Sequence, residues 1–281
     1  MSSTYRFVVI TTPEKVEEVT ALGYSAGMSG LEEIPLDENV RLLCYFDTPQ
    51  EALDATRLIT SHEFDASLIE PVENEDWNAQ WRASIKPVQI SDTIWVSPEW
   101  LTPPLKDDDY WIKIEPRMAF GTGHHETTRV CAQMVLDKKE TASSLLDIGT
   151  GSGILCFVAE YAGYTKLKGI EIDPDCEINL GENREANKKE VEITFEIGSV
   201  DILDPSEKYD TIVMNIIRTH SEPLLPACEK HLAEGGSLIW SGLLLTERDR
   251  CIESAEKQNW KLVEENQENE WWAGRFIRSK K

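Results

Sequence analysis

Residues 145–154 read LLDIGTGSGI, an apolar strand that ends at Asp147–Ile148, passes through Gly149, Gly151 and Gly153, and enters the apolar helical stretch ILCFVAEYAG. A strand that breaks on glycines and turns at once into a helix is one half of a βαβ unit, in which strands run parallel and helices cover the sheet. The flanking sequence repeats that alternation. From residue 116 onward SLLDIG, KLKGIEI, ITFEIG, YDTIVMN and SLIWSG are short apolar runs separated by helical stretches, and KLVEENQ with WWAGRFIRS reads as a closing hairpin. The expected fold is a doubly wound, mostly parallel seven-stranded α/β sheet over 116–281.

Residues 1–70 follow another rhythm: YRFVVIT, PEKVEEVTALGYSA, GLEEIP, VRLLCYF, PQEALDATRLI and FDASLIEPV read as strand, helix, strand, strand, helix, strand. That order predicts a small split βαβ, ferredoxin-like domain. Residues 71–115 are expected as a connecting region: EDWNAQWRA as a short helix with Trp77 and Trp81 one turn apart, read as packing, then short strands in KPVQI, TIWVS and YWIKI.

Glycines at a strand-to-helix turn let backbone approach a ligand, and the helix start offers free N–H groups. The next strand ends in Glu171, 22 positions after Gly149, where a carboxylate accepts hydrogen bonds from ribose hydroxyls. A dinucleotide fingerprint, G-x-G-x-x-G, needs a third glycine where Ile154 stands. The spacing here is G-x-G-x-G, which suits S-adenosyl-L-methionine, a sulfonium ligand with an amino-acid tail and no pyrophosphate. Read alone, the glycines also fit a bare tight turn.

Two further segments sit where chemistry is expected. AFGTGHHETT, residues 119–128, crowds hydroxyls, glycines and histidines ahead of a helix, and reads as a loop over the ligand or as a linker with Thr127 or Thr128 as helix cap. YDTIVMNII ends a strand at Asn215, beside the reacting group or as a turn residue. The amide oxygen of Asn215 can accept hydrogen bonds from a nitrogen nucleophile.

With AFGTGHHETT, LLDIGTGSGIL, GIEIDP, the strand-end NII, EGGSLIWSGLL and the acidic N-terminal domain taken together, the chain resembles the ribosomal protein L-eleven methyltransferases (PrmA) over essentially its full length. The resemblance implies cofactor contacts at Thr128, Gly149, Glu171 and Asn215. Beside these, Gly151 and the loop residues Phe120, Gly121 and Thr122 are expected at the cofactor, and Asn215 with backbone near it is expected to orient the amine as the catalytic residue. It also implies a first domain that holds a basic large-subunit ribosomal protein, and a second that trimethylates lysine and N-terminal amines. The sequence departs from the family pattern at Glu171, where Asp is usual, and at Ile217–Arg218, where Leu-Ala commonly follows Asn-Ile.

Composition narrows the partners. The formal charge is −23, and residues 1–70 hold 13 Asp and Glu against 4 Lys and Arg, which argues against direct nucleic-acid binding and suits either a basic protein partner or an acidic surface that only keeps the chain soluble. The six cysteines are scattered without CxxC or histidine partners, so buried reduced thiols and no metal are expected. No membrane span or secretory signal is read, and the expected location is cytoplasmic. The competing functions are a methyltransferase acting on another protein, a small molecule or nucleic acid, and a non-catalytic cofactor-binding module.

Overall fold

The computed structural model describes residues 4–72, 85–117, 119–137, 140–188 and 191–279. The expected Trp77–Trp81 helix lies outside them. Contacts divide the chain into two units, residues 1–85 and 86–281.

The first unit runs β1 (Thr4–Thr11), α1 (Val16–Ser25), β2 (Gly30–Leu36), β3 (Asn39–Phe46), α2 (Pro49–Ser61) and β4 (Glu70–Val72), with sheet order β2-β3-β1-β4. Alternate residues Phe7 and Val9 of β1 and Leu42, Cys44 and Phe46 of β3 bury one sheet face against Val19, Ala52, Ala55 and Ile59 of the helices. Thr48 caps α2 by a reciprocal bond with Glu51, the capping box that a Thr-Pro-Gln-Glu start encodes. The last strand is shorter than FDASLIEPV suggests: only Glu70–Val72 pair with β1, and Ala66 makes a lone bridge to Val9. It is an edge strand, and Pro71 within it has no N–H to give a ladder.

The second unit is built on a seven-stranded sheet in the order β10-β9-β8-β11-β12-β14-β13. Its parallel strands are β8 (Ser144–Ile148), β9 (Lys166–Glu171), β10 (Ile193–Ile197), β11 (Tyr209–Asn215) and β12 (Leu232–Leu244). The hairpin β13 (Trp260–Glu268) and β14 (Trp271–Arg278) adds the antiparallel end, as the alternation of its sequence predicts. Sequential strands reverse direction across the sheet at β8 and β11, and the open crevice of such a sheet lies there, outside the strand carboxyl ends.

Both faces are covered, which is why β8 reads as a continuous buried run. On one face α3 (Glu126–Leu136) and α4 (Ile154–Tyr161) share a core with β5 (Val88–Ser91), β6 (Ile94–Ser97) and β7 (Tyr110–Lys113), a small sheet in which β6 and β7 run parallel. The strands expected in a connecting region thus bury Ile90, Ile94, Val96 and Ile112 in the core of the second unit. On the other face Leu225 and Cys228 of α6 (Leu225–His231) and Cys251 and Ala255 of α7 (Arg248–Lys257) pack against Trp240, Trp260 and Trp272. All six cysteines are buried free thiols, and burial pushes Cys44, Cys131, Cys228 and Cys251 up to about 12. No helix among the described residues is long and apolar enough to cross a membrane.

Candidate functional site

The turn after β8 is held by backbone bonds, and its glycine positions leave little room for a Cβ. The N–H groups of Gly149 and Thr150 both donate to Ile170 O, at 2.9 and 3.0 Å, so the turn hangs from the end of β9. Gly151 has φ +55°, and a Cβ there would stand 2.4 Å from Phe120 O. Gly149, at φ +73°, faces the Ile216 side chain, which a Cβ would meet at 2.7 Å. Only glycine fits either place.

Two carboxylates flank this turn. Asp147 is 1% exposed; Thr150 Oγ1 donates to its Oδ2 at 2.7 Å, and its Oδ1 has no partner among the described residues. Burial raises Asp147 to about 7, with Thr150 opposing the shift and Glu171 adding to it. Glu171 accepts from Gly151 N–H at 2.9 Å through Oε2 and from Asp173 N–H at 3.1 Å through Oε1. Each oxygen retains a lone pair for a further donor such as a sugar hydroxyl. One carboxylate thus spans the N–H groups of the glycine turn and of the chain after β9. Ile172, 73% exposed, stands next to it as a bare apolar surface on which a planar base can lie.

Asn215 ends β11 beside Ser241 of β12, and its Oδ1 is buried without a partner among the described residues. Thr128 is in the same condition: 1% exposed, on α3, with Oγ1 unpaired. Buried polar atoms are nearly always satisfied, and leaving one unmade costs about 1–3 kcal/mol. Of the six such side-chain atoms among the described residues, those on Thr128, Asp147 and Asn215 occur on elements whose ends border one glycine turn, and Ser241 Oγ lies on the strand paired with Asn215. That is the signature of a site shaped for a polar ligand with several donors. The acceptor set suits a cationic nucleoside: acids for positive charge, Glu171 for ribose, Asn215 Oδ1 for an ammonium.

The loop from 119 to 125 rests on the turn. Ser152 N–H donates to Phe120 O at 2.9 Å, and Ser152 Oγ to Gly121 O at 2.6 Å. The Thr122 hydroxyl meets its neighbour His124, Oγ1 to Nδ1 at 3.2 Å. Arg129 bonds the carbonyls of Gly123 and His124 and is itself paired with Glu268. Neither Thr127 nor Thr128 caps the helix. His125 does, its Nδ1 accepting from Thr127 N–H at 3.3 Å, because the helix starts one residue earlier than the threonines and leaves Thr128 facing inward.

The rim contains residues that the sequence did not single out. The His125 ring lies 5.3 Å from Phe120 and 4.8 Å from Trp271, and Trp271 pairs with Leu244 three residues beyond Ser241. Phe120 is 54% and Ile217 52% exposed, so the mouth is largely apolar. Arg218, the other departure from the family pattern, is drawn into pairs with Glu222 and Glu247. Trp271 escaped notice because WWAGRFIR gives two tryptophans in a strand, and only alternation tells that one is core and the other points to the opposite face.

A family model, Ribosomal protein L11 methyltransferase (PrmA), matches residues 8–279. The Ribosomal protein L11 methyltransferase of Desulforapulum autotrophicum is 36% identical over 204 residues, covering 72% of this chain and 67% of that protein. That of Agathobacter rectalis is 30% identical over 266 residues, 86% of this chain and 81% of its own length. A crystal structure of ribosomal protein L11 methylase from Lactobacillus delbrueckii subsp. bulgaricus superposes with TM-score 0.62 at 24% identity, over 70% of this chain and all of that one, and shares the α/β methyltransferase fold. The chain belongs to the ribosomal protein L11 methyltransferase family.

Proposed function

We propose that this protein transfers methyl groups from S-adenosylmethionine to lysine side chains and N-terminal amines of a basic large-subunit ribosomal protein in the cytoplasm. The observation that carries the reading is the set of buried atoms without a partner among the described residues, Thr128 Oγ1, Asp147 Oδ1 and Asn215 Oδ1, around a turn in which backbone blocks a Cβ at Gly151. Family membership over residues 8–279 supports the same chemistry.

When bound, S-adenosylmethionine supplies a methyl group on a positive sulfonium. Gly149 and Gly151 would admit the ligand to the turn, Glu171 would hold its ribose, Ile172 would offer a face to its base, and Asp147 and Asn215 would meet its cationic tail. The acceptor amine must be neutral to attack, although a free lysine, with pKa about 10.4, is protonated at neutral pH. An apolar rim of Phe120, Ile217 and Trp271 excludes water and so disfavours the charged form of the amine. Asn215 Oδ1 would accept an N–H and leave the nitrogen lone pair aimed at the methyl carbon, so that the N–C bond forms as the S–C bond breaks, the neutral thioether departs and the extra proton on nitrogen passes to water. Positioning of that kind supplies several kcal/mol of barrier reduction without a dedicated base.

The first unit fits a ferredoxin-like substrate-holding domain: its β-α-β-β-α-β order and sheet order β2-β3-β1-β4 follow the split βαβ plan, and its surplus of acid suits a basic partner. The test is transfer of labelled methyl from S-adenosylmethionine to purified large-subunit ribosomal proteins, with mass spectrometry to locate the modified amines. Label in a basic ribosomal protein, on lysine or the N-terminus, is the expected outcome. Label on RNA or small molecules only would overturn the reading.

A further inference from the structure

Helix α5 (Glu177–Ala186) and its C-cap carry Asn179, Asn183 and Asn187 at four-residue spacing, one buried stripe with 2%, 1% and 7% exposure. Their amides bind backbone well over 60 residues away in sequence. Asn187 accepts from Lys113 N–H at 2.8 Å and donates to Lys113 O at 2.6 Å; Asn179 donates to Glu115 O at 2.9 Å; Asn183 Oδ1 accepts from Glu115 N–H at 2.9 Å. The stripe stands in for a neighbouring strand along the end of β7.

Asn183 alone of the three also reaches the glycine turn. Its Nδ2 donates to Ser152 O at 2.9 Å. Ser152, fully buried, is the residue whose N–H and hydroxyl hold the carbonyls of Phe120 and Gly121. One amide therefore fixes both the chain that enters the loop, at Glu115, and the residue on which the loop rests.

We propose that Asn183 is a positioning residue for the methyl donor: without touching it, Asn183 holds Ser152 and Glu115 so that the Phe120–Gly121 segment is seated on the glycine turn. The inference rests on the reading of that turn as the S-adenosylmethionine site. Its logic is geometric. Replacing Asn183 Nδ2 by an oxygen keeps the bond to Glu115 and puts an acceptor against the Ser152 carbonyl, which loosens the turn and the loop together. The equivalent change at Asn187 removes its bonds to Lys113 O and Asn183 O, and leaves Ser152 untouched.

The experiment compares Asn183→Asp with Asn187→Asp in the full chain, measuring melting temperature without ligand and S-adenosylmethionine affinity by calorimetry. Both variants should melt lower, since both lose buried hydrogen bonds. Only Asn183→Asp should bind S-adenosylmethionine tenfold or more weakly, with faster amide exchange at residues 119–123; Asn187→Asp should bind within twofold of the parent. Should Asn183→Asp fail to fold, Ser152→Ala, which removes only the hydroxyl strut to Gly121 O, should show the same weakened binding. Equal loss of affinity in the two Asp variants, or parental affinity in Asn183→Asp or Ser152→Ala, would overturn the proposal. A parent protein that binds no S-adenosylmethionine would overturn it along with the reading beneath it.

Discussion

The Glu171 carboxylate and the Gly151 N–H meet at 2.9 Å, so the acid that ends β9 also fastens the glycine turn that follows β8. Ligand contact and scaffold are joined in one side chain. Glu171→Ala should therefore weaken S-adenosylmethionine binding by about 1.5–3 kcal/mol, the scale of a charge-assisted hydrogen bond, and lower the melting temperature as well. Glu171→Gln keeps an oxygen for Gly151 N–H and should spare most of the stability while still losing affinity. Glu171→Asp should lose less than Ala. Calorimetry on the three variants separates the roles, and unchanged affinity in Glu171→Ala would remove the residue from the site.

Asp147 makes stability depend on pH in an unusual direction. Its carboxyl, raised to about 7 by burial, has an ordinary value near 3.9 in the unfolded chain. Below about pH 4 both states hold the proton; between about 4 and 7 only the folded state does, so stability from this group falls as pH rises and levels off above about 7. Asp147→Asn should abolish that fall, and its stability relative to the parent, read from urea unfolding, should increase by a few kcal/mol between about pH 4 and 7. A cation bound beside Asp147 favours the ionised form, so S-adenosylmethionine binding near pH 7 should release protons. Calorimetry in buffers of different ionisation heat measures that release; its absence in the parent protein would place the cation elsewhere.

Gly151→Ala tests the turn. The new methyl would meet Phe120 O at 2.4 Å in a backbone conformation of φ +55°, and the obstacle is backbone rather than a movable side chain. A loss of about 1–3 kcal/mol in stability is expected from strain of this kind, with a larger loss in cofactor affinity as the loop is displaced. Normal affinity would show that the loop has another resting place.

How much of this was visible in the sequence depends on the reach of each interaction. LLDIGTGSGI and GIEID encode a local geometry, and β8, the turn, α4, β9 and Glu171 fall where the spacing puts them. Asn215 was legible as a strand end, and the hairpin as two alternating runs. The asparagine stripe was not, because an Asn in a helical stretch reads as a surface residue until the chain near residue 115 is brought against it. The cap of α3 was misread for a related reason: His and Thr can both accept a backbone N–H, and packing of Thr128 into the core decided between them. Trp271 became a rim residue only through the pairing of β14 with β12.

Asn215→Ala should divide turnover from binding. Its Oδ1 is the unpaired acceptor nearest the strand end, and if it aligns the amine as well as meeting the cofactor, kcat should fall more than cofactor affinity does. Single-turnover rates at saturating S-adenosylmethionine read the first quantity and calorimetry the second. Full turnover in the variant would sink the aligning role.

Removal of residues 1–85 should leave a folded protein that binds S-adenosylmethionine and has lost most of its activity on the ribosomal substrate. The two units have separate cores: Phe7 to Phe64 build one, and the two large clusters of the second unit begin at Ile90. Every residue assigned to the cofactor lies in the second unit, so its affinity should stand within about twofold. The acidic first unit would act by holding a basic partner, which raises the effective concentration of the target amine, and its loss should lower kcat/KM by orders of magnitude. Attraction between the acidic unit and a basic protein is screened by salt. Raising ionic strength should therefore slow the intact enzyme and barely change the truncated one. If residues 1–85 only stabilised the rest, truncation would reduce melting temperature and cofactor affinity together; a stable truncated protein with full activity on the ribosomal substrate would rule out the docking role.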